Sequence, residues 1–398
     1  MLVTTNVDPV AKIKVVGVGG GGCNAINTMI TDYDVPGVDF MAFNTDAQAL
    51  KMSQAPVTLQ LGEELTKGLG VGGDSVLGAQ AAEESLDQIQ ELLDGANMVF
   101  ITAGMGGGTG TGAAPIIAGV AKNMGALTVA VVTKPFSFEG DRKMEIAEEG
   151  IAALKDKVDT LIVVPNQRLL QIIDPNEQLS FIDAMKKVDS VLAEGVNSIA
   201  NLIGKTGYVN ADFNDAKTVM QNAGTALMGI GRASGENRAE DAARAATESP
   251  LLDMSIEGAT GVLYNIVGGP TLSLTEISLV SDLIKEAVDP AASIKFGAQI
   301  DPEAGDELTI TIIATGFDEK KQKYSKGETS TPVSEESRRG LEAFGIKRNE
   351  NEEPLESYDA QEDVKDEAED DTFDTSSNIP DLQSDDVYDI PSFMRKDK

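Results

Sequence analysis

Two glycine-rich segments of the chain each lie between a predicted strand and a predicted helix. The first covers residues 17–24 and the second residues 101–112. Glycines let a backbone approach a ligand closely, and the free amides at the start of a helix attract anions. Thr109 and Thr111 add hydroxyl donors to the second segment. The two segments therefore predict a phosphate-binding site built largely from main-chain amides.

The first segment alone leaves two interpretations open. Gly17, Gly19 and Gly22 satisfy the GxGxxG pattern of dinucleotide-binding proteins. Asp46 follows the next predicted strand, where a ribose-binding acid would stand. An NAD-dependent oxidoreductase is therefore a rival hypothesis. The second segment argues against it, because a dinucleotide-binding fold needs one such turn in each half, with fewer glycines.

A group of polar residues, Asn210, Asp212 and Asp215, follows a long predicted helix. Carboxylates can orient water for attack on a phosphate. The same residue types favour the N-cap of a helix, which is the structural alternative. A further acid, Asp189, lies beside the apolar stripe of the long helix, where a carboxylate requires a polar partner.

The long helix should hold these acids apart. Apolar residues recur at spacings of three and four over residues 182–203, and a helix of that length spans roughly 33 Å. Asp189 would lie towards one end, with Asp212 and Asp215 beyond the other. These two acids would not reach phosphates bound in the same subunit. If they are catalytic, they must act on a neighbour's nucleotide, and such a contact between opposite faces generates open filaments.

The remaining pattern predicts an α/β fold with two domains. In the first half, short β-branched runs alternate with helical patterns, as in a parallel sheet covered by helices. One helix should start at Asn24 and another near Ala113, with Pro115 in its first turn. The last two predicted strands flank a turn and should form a hairpin. The predicted strands are 12–18, 38–43, 98–103, 128–133, 160–165, 261–267, 293–299 and 307–314, and the later helices are 213–222, 239–248 and 274–288.

Composition excludes several classes of protein. The chain has 65 acids against 32 bases, so its surface repels bare nucleic acid. It contains no histidine, which excludes His-based triads, His general bases and His-ligated metals. A single cysteine excludes an internal disulfide and fits a reducing cytoplasm. No secretory signal or membrane-spanning run is present, so we expect a cytoplasmic protein without direct membrane insertion.

The last fifth of the chain differs in composition from the rest. Residues 318–398 hold 24 acids and 12 bases, and residues 350–374 hold thirteen acids and one lysine. Because so little apolar content cannot offset chain entropy, we predict a disordered acidic linker over residues 318–384. Residues 386–396 are richer in apolar side chains and end in bases, which indicates a docking peptide; a solvated tail end is the alternative.

The sequence GGGTGTG at residues 106–112 resembles the signature of the tubulin superfamily. Further motifs are similar to its FtsZ family: NTDAQAL at 44–50, TKPF at 133–136, FEG at 138–140 and SPLL at 249–252. The resemblance covers residues 10–317, and the terminal peptide resembles the adaptor-binding tail of that family. It implies a Rossmann-like parallel-sheet GTPase domain, a long central helix and a second α/β domain. The implied boundaries are 1–11 (flexible N-terminus), 12–179 (GTP-binding), 180–206 (central helix), 207–317 (second domain, for polymerisation and activation), 318–384 (linker) and 385–398 (partner-binding peptide).

The resemblance also implies roles for individual residues. Asp189 would accept from guanine N1 and N2, Glu139 would hold the ribose, and Asn166 would lie near ribose and base. Asn210, Asp212 and Asp215 would assist attack on the γ-phosphate. Met185 departs from the family's usual aromatic residue, and Lys143 from its arginine. The full predicted nucleotide-binding set is Gly20, Gly21, Gly22, Cys23, Asn24, Gly106, Gly107, Gly108, Thr109, Gly110, Thr133, Glu139, Arg142, Lys143, Asn166 and Asp189, with no side-chain metal ligand.

We therefore predict a GTPase that converts GTP into GDP and phosphate with Mg²⁺ and is activated by head-to-tail self-assembly into the bacterial division ring. Residues 386–396 would bind a membrane-tethering adaptor and division regulators, holding the protein at mid-cell on the inner face of the membrane. A third hypothesis is a nucleotide-gated scaffold that assembles without efficient hydrolysis.

Overall fold

A computed structural model describes residues 11–33, 35, 37–172, 180–204, 212–252 and 254–317. Asn210, the predicted acidic linker and the predicted docking peptide lie outside these ranges. None of the helices within them is long and apolar enough to cross a membrane.

Ten strands and twelve α-helices make up the described part of the chain. The strands are β1 Ile13–Val18, β2 Val38–Asn44, β3 Val57–Gln60, β4 Met98–Gly104, β5 Leu127–Lys134, β6 Thr160–Pro165, β7 Gly224–Ala233, β8 Gly261–Gly268, β9 Ser293–Ile300 and β10 Leu308–Thr315. The helices are α1 Gly19–Asp32, α2 Ala47–Met52, α3 Glu63–Thr66, α4 Ser75–Glu84, α5 Leu86–Leu93, α6 Gly108–Asn123, α7 Asp141–Lys155, α8 Asn166–Ile172, α9 Phe181–Gly204, α10 Phe213–Met220, α11 Arg238–Thr247 and α12 Leu274–Glu286.

All ten strands belong to one hydrogen-bonded sheet, in the order β3-β2-β1-β4-β5-β6-β7-β10-β8-β9. The strands from β3 to β7 pair in parallel. Neighbouring residues of β1 face different layers: Val15 packs in the core that contains α1 and α9, and Val16 packs in the core that contains α6. Both faces of the parallel sheet are therefore covered by helices, as the apolar strands predict.

The second half of the chain extends this sheet through β7. This strand pairs in parallel with β6 and antiparallel with β10, and α11 packs closely on it. A Cβ on Gly229 would lie 2.0 Å from the main-chain oxygen of Ala246, and one on Gly231 equally close to that of Ala242. The glycines that allow this contact also weaken the strand pattern, which is why β7 was not predicted.

The predicted hairpin is wrong, although both of its strands exist within one residue of their expected bounds. β10 lies between β7 and β8 and is antiparallel to both, whereas β9 pairs in parallel with β8 at the edge of the sheet. β10 is almost entirely buried and β9 is largely half-exposed. A strand as apolar as β10 takes a central position in the sheet. The alternation of polar and apolar residues along a strand does not show which other strand it pairs with.

The two helices that follow the glycine-rich segments begin earlier than expected. α1 starts at Gly19 rather than Asn24, and α6 starts at Gly108 rather than near Ala113. Pro115 therefore lies inside α6 and not in its first turn. The glycines are part of these helices because they permit close packing: a Cβ on Gly112 would lie 2.0 Å from the main-chain oxygen of Ser75.

The long predicted helix is confirmed as α9. Val188, Leu192, Val196 and Ile199 are buried on one side of it. Near its C-terminal end, the main-chain oxygen of Asn201 accepts a hydrogen bond from Nε2 of Gln299 in β9 (3.1 Å). The helix therefore joins the core of the parallel strands to the second half of the chain.

Candidate functional site

Four adjacent parallel strands, β1, β4, β5 and β6, end at the same edge of the sheet. The order of strands reverses between β1 and β4, since β2 and β3 lie on one side and β5 and β6 on the other. Doubly wound sheets bind ligands in the crevice at this switch point. The two glycine-rich segments follow β1 and β4 and so lie on either side of the crevice.

The glycines of the two segments fall into two groups. In the first group the protein itself requires glycine; a Cβ on Gly22, for example, would lie 2.3 Å from the main-chain oxygen of Thr102. In the second group, Gly20 and Gly107, a Cβ would have no described atom within 4 Å, and neither residue has a positive φ. The other predicted glycines are closer to the first group, because a Cβ on any of them would lie 3.3 Å or less from another atom. They are Gly21, Gly106, Gly108 and Gly110.

Packing and backbone strain do not explain glycine at Gly20 and Gly107. Both are exposed, and both lie where a helix begins: Gly20 in the first turn of α1, Gly107 at the N-cap of α6. A methyl group at either position would extend into open space at the start of its helix. These two positions therefore fit a bound phosphate group, which needs both that space and the free amides beside it.

Two residues without a predicted role, Asn44 and Thr45, join the end of β2 to the site. The Thr45 hydroxyl lies 2.7 Å from that of Thr109, and the Asn44 side-chain oxygen accepts from the Asp46 amide (3.2 Å). The carboxylate of Asp46 caps α2, so the acid on which the oxidoreductase hypothesis relied has a structural role. No glycines mark this strand end, and only the NTDAQAL motif pointed to it.

Cys23 and Asn24 follow the first glycines in α1. The Cys23 side chain is buried, with Sγ near the main-chain oxygens of Gly17 and Phe43 (3.8 and 4.0 Å). Burial raises the pKa of this thiol to about 11, so it stays protonated. A contact with a ligand would therefore use the Cys23 main chain, whereas the exposed Asn24 has its side chain available.

The residues after β5 form a compact charged group. Oε1 of Glu139 accepts from the Phe136 amide (2.9 Å), and Oε2 accepts from Nζ of Lys143 (3.0 Å). Arg142 is exposed beside Lys143 at the start of α7, and Thr133 is buried at the end of β5. The Lys143 ammonium therefore pairs with Glu139. A ribose hydroxyl that donates to the Glu139 carboxylate would share that carboxylate with Lys143.

Two polar groups near the same edge lack a partner. The side-chain oxygen of Asn166, at the start of α8, is buried and accepts no hydrogen bond from the described residues. Asp189 lies half-buried in α9 with Met185 one turn before it, and no described side chain or amide donates to its carboxylate. Burial raises the pKa of Asp189 to about 7. Both groups fit a ligand that supplies donors.

Asp212 and Asp215 lie at the opposite edge of the sheet. They form a capping box at the start of α10: Oδ1 of Asp212 accepts from the Asp215 amide (2.7 Å), and Oδ2 of Asp215 from the Asp212 amide (3.3 Å). The end of α10 is tied to the first residue of β6, since the Thr160 hydroxyl donates to the main-chain oxygen of Met220.

The separation of the two edges follows from these contacts. β6 runs from Thr160, beside α10, to Pro165, directly before Asn166, a distance of roughly 17 Å. Along α9, the fifteen steps of helical rise from Asp189 to Gly204 cover roughly 22 Å in the same sense. The acids of α10 are therefore remote from the glycine-rich crevice of their own subunit. Within the described ranges, no group of three or more acids and cysteines is arranged to hold a metal ion.

A doubly wound sheet with glycine-rich turns on both sides of its switch point defines a nucleotide-binding protein of the Rossmann-like class. Comparison with known families narrows this class. Residues 12–174 match the Tubulin/FtsZ family, GTPase domain, and residues 224–318 match the FtsZ family, C-terminal domain.

Solved structures agree with this assignment. FtsZ from M. jannaschii, in an empty dimer, is 44% identical over 77% of this chain and 88% of that chain, with a TM-score of 0.74. Two proteins from Haloferax volcanii share the fold: CetZ2 in a GTPγS-bound protofilament (20% identity, 84% and 100% covered, TM-score 0.64) and CetZ1 as a GDP-bound monomer (22% identity, 84% and 99% covered, TM-score 0.67). The chain therefore belongs to the Tubulin/FtsZ family of GTPases, which are related to polymerising cytoskeletal proteins.

Proposed function

We propose that this protein hydrolyses GTP at contacts between neighbouring subunits of a head-to-tail filament, and that the filament forms the bacterial division ring. The observation that carries the proposal is the separation of the two edges of the sheet. The crevice and the acids of α10 lie at opposite ends of β6, so a second subunit stacked on the first would bring its acids to the first subunit's nucleotide. This contact joins two different faces of the subunit, so it can repeat from subunit to subunit and produce an open filament.

The nucleotide would lie across the crevice with its phosphates against the amides of the two glycine-rich segments. Gly20 and Gly107 leave space for phosphate oxygens, and Thr109 adds a hydroxyl donor. The unpartnered Asn166 and the shared carboxylate of Glu139 would contact the ribose. Asp189 would accept from N1 and N2 of guanine, which supplies the donors that its half-buried carboxylate lacks. Mg²⁺ bound with the phosphates would neutralise charge that develops on them.

Hydrolysis would proceed by in-line attack of water on the γ-phosphate. Asp212 and Asp215 of the neighbouring subunit orient the water, and loop amides stabilise the transition state. Asn210 would assist them. Two relatives self-associate in their solved structures, FtsZ as a dimer and CetZ2 as a protofilament, which supports the same behaviour in this chain.

The division-ring role also requires attachment to the membrane. We expect residues 386–396 to bind a membrane-tethering adaptor and division regulators, with the acidic residues 318–384 as the tether. Deleting residues 386–398 should leave GTP-dependent assembly unchanged and abolish recruitment by an adaptor in cells. Loss of filament formation on this deletion would contradict the docking role.

A first test measures phosphate release and light scattering over a range of protein concentrations. The turnover per subunit should rise steeply where scattering begins, because monomers lack a complete site. Asp212→Ala should bind GTP with wild-type affinity and lose turnover in its filaments. If Asp212→Ala loses thermal stability but retains turnover per filament, Asp212 only caps α10 and the proposed catalytic role is wrong.

A second test separates the two halves of the site. The Cβ of Gly107→Asp meets no described atom within 4 Å, so this variant should fold. Its carboxylate should repel the phosphates and prevent GTP binding. Asp212→Ala keeps the pocket and lacks the acid. Neither should hydrolyse GTP alone, but a mixture should regain activity, because the acids of one variant face the nucleotide of the other. An inactive mixture that still co-assembles would refute the shared site.

A further inference from the structure

Lys295 lies near the start of β9 and contacts the acidic pair that caps α10. Its Nζ is 2.7 Å from Oδ1 of Asp215, and both side chains are about one-third exposed (36% and 32%). β9 is the edge strand of the sheet and pairs only with β8 among the described strands. The ion pair therefore joins an otherwise free edge strand to the start of α10.

The contacts of the two carboxylates are unequal. In Asp215, Oδ1 is held by Lys295 and Oδ2 by the Asp212 amide. In Asp212, only Oδ1 is held, by the Asp215 amide; no described residue donates to its Oδ2. One carboxylate is thus fixed at both oxygens, and the other keeps one oxygen for a water molecule.

Lys295 also balances the charge of the pair. Two adjacent carboxylates repel each other, and an ammonium beside one of them offsets that repulsion. The hydrogen bond from Lys295 is the main reason that the pKa of Asp215 lies below its ordinary value, with the Asp212 amide contributing. The hydrogen bond to Asp215, together with the charges of Asp215 and Asp212, in turn raises the pKa of Lys295. Asp215 and Lys295 therefore stay ionised at neutral pH.

We propose that Lys295 is a positioning residue for GTP hydrolysis: it fixes Asp215, which holds Asp212 with one oxygen directed to the attacking water. This inference rests on the proposed function, because it assumes that the α10 acids act on a neighbour's nucleotide. An exposed ion pair contributes little to folding stability, so stability alone gives no reason for this contact.

The test uses the full chain with Lys295→Met and Lys295→Arg. Turnover is measured at equal polymer mass, together with GTP affinity, the assembly threshold and the thermal midpoint. Lys295→Met should reduce turnover about tenfold, the effect of losing one charge-assisted hydrogen bond, and leave GTP affinity and the midpoint unchanged. Lys295→Arg should restore turnover to within about twofold, since it keeps the charge. Lys285→Met is the matched control, because Lys285 forms an exposed ion pair with Asp282 in α12.

A double-variant cycle shows whether Lys295 acts through Asp215. In an Asp215→Asn background, Lys295→Met should cause no further loss of turnover. An equal tenfold loss in that background would overturn the inference, as would wild-type turnover of Lys295→Met alone. Full turnover of Asp215→Asn itself would instead contradict the proposed function.

Discussion

The hydroxyls of Thr45 and Thr109 lie 2.7 Å apart and connect the end of β2 to the start of α6. The main-chain oxygen of Thr45 also accepts from the Gly70 amide (3.2 Å) and the Thr66 hydroxyl (3.3 Å). Thr45 therefore links the second glycine-rich segment to the neighbouring loop, which has positive φ at Gly68 and Gly70.

Replacing Thr45 with valine should weaken GTP binding. The change keeps the shape of the side chain and removes the hydrogen bond to Thr109, whose net contribution is about 1 kcal/mol. We expect affinity to fall about fivefold in equilibrium titration with a fluorescent GTP analogue. Thr247→Val is the control, because the Thr247 hydroxyl donates to main-chain oxygens of its own helix, α11, and to no other described residue. Equal affinity of Thr45→Val and wild type would show that the contact does not shape the phosphate site.

The affinity for GTP should depend on the ionisation of Asp189. Its pKa of about 7 in the free protein leaves about one-tenth of the carboxylate ionised at pH 6 and about nine-tenths at pH 8. If guanine binds only the anion, apparent affinity rises about tenfold between these pH values. In Asp189→Asn, the GTP affinity should depend much less on pH. The difference between this variant and wild type separates the titration of Asp189 from the titration of the GTP phosphates.

The same pKa has a consequence for stability. An acid with a raised folded pKa destabilises the fold as pH rises from its unfolded value, 3.8, to about 7. Denaturant titrations without nucleotide should therefore show that Asp189→Asn gains stability relative to wild type at pH 8 but not at pH 4. An equal difference at both pH values would show that burial of the charge is not the cause.

Asp189→Asn should also change the base that is preferred. A carboxylate accepts from both N1 and N2 of guanine, whereas an asparagine amide accepts at one atom and donates at the other. Xanthine presents an oxygen in place of the guanine amino group and matches the amide. We expect GTP affinity to fall by about tenfold or more and xanthosine triphosphate to bind better than GTP. If Asp189→Asn still prefers GTP, Asp189 does not recognise the base.

Gly20→Ala should stabilise the empty protein and weaken its binding of GTP. Gly20 lies in the first turn of α1 with open space around its Cβ position, and alanine favours a helix by up to about 1 kcal/mol. A methyl group in the phosphate space should lower affinity by about tenfold. Gly119→Ala is the control. Gly119 lies inside α6, and its new methyl group would be 3.8 Å from the Lys157 side chain, so this variant should gain stability without losing affinity. Similar affinities of the two variants would show that no phosphate lies against Gly20.

A buried arginine should dominate the stability of the second half of the chain. The Arg238 side chain is 5% exposed and bonds to Glu276 (2.7 Å), Asp306 (2.9 Å) and Thr271 (3.2 Å). Arg238→Met should lower the free energy of unfolding by about 2 kcal/mol, because it removes the charge-assisted hydrogen bonds of a buried guanidinium and leaves the half-buried Glu276 without its cation. Arg244→Met, in the same helix but exposed, should change it by less than about 0.5 kcal/mol. Comparable losses in both variants would contradict the role of burial.

The Arg238 contact also predicts a limit at acidic pH. It is the main cause that lowers the pKa of Glu276 to about 2, from 4.5. This carboxylate therefore contributes stability above pH 4.5, and the contribution is lost as pH falls towards 2. Acid denaturation of Arg238→Met should show a smaller loss, because only the hydrogen bonds from Ser273 then lower the pKa of Glu276.

Five strands of the parallel half, β1, β2, β4, β5 and β6, could be predicted from the sequence because they are nearly continuous apolar runs. The short, half-exposed β3 was not predicted. β1, β4, β5 and β6 were located within one residue, and their common edge follows from parallel pairing. The partner of β10 could not be predicted, since local alternation does not encode which distant strand is adjacent. β7 was missed because its glycines, needed for the close approach of α11, resemble a turn.

The site shows the same division. The glycine pattern located both strand-to-helix segments of the crevice, but it could not separate Gly20 and Gly107, which leave open space, from Gly22, which packing requires. Lys295 gave no signal, because its partner Asp215 is distant in sequence. The role of Asp212 as a cap was anticipated as the structural alternative, and the capping box confirms that this contact exists.

The crevice and the α10 acids occupy opposite edges of one subunit, so on the proposed mechanism a row of n subunits contains only n − 1 complete sites. The molecule at one tip keeps a triphosphate that no neighbour attacks, and the molecule at the other tip presents acids with no substrate. The two tips therefore differ chemically at every length. Intact GTP persists at one of them without any separate capping protein.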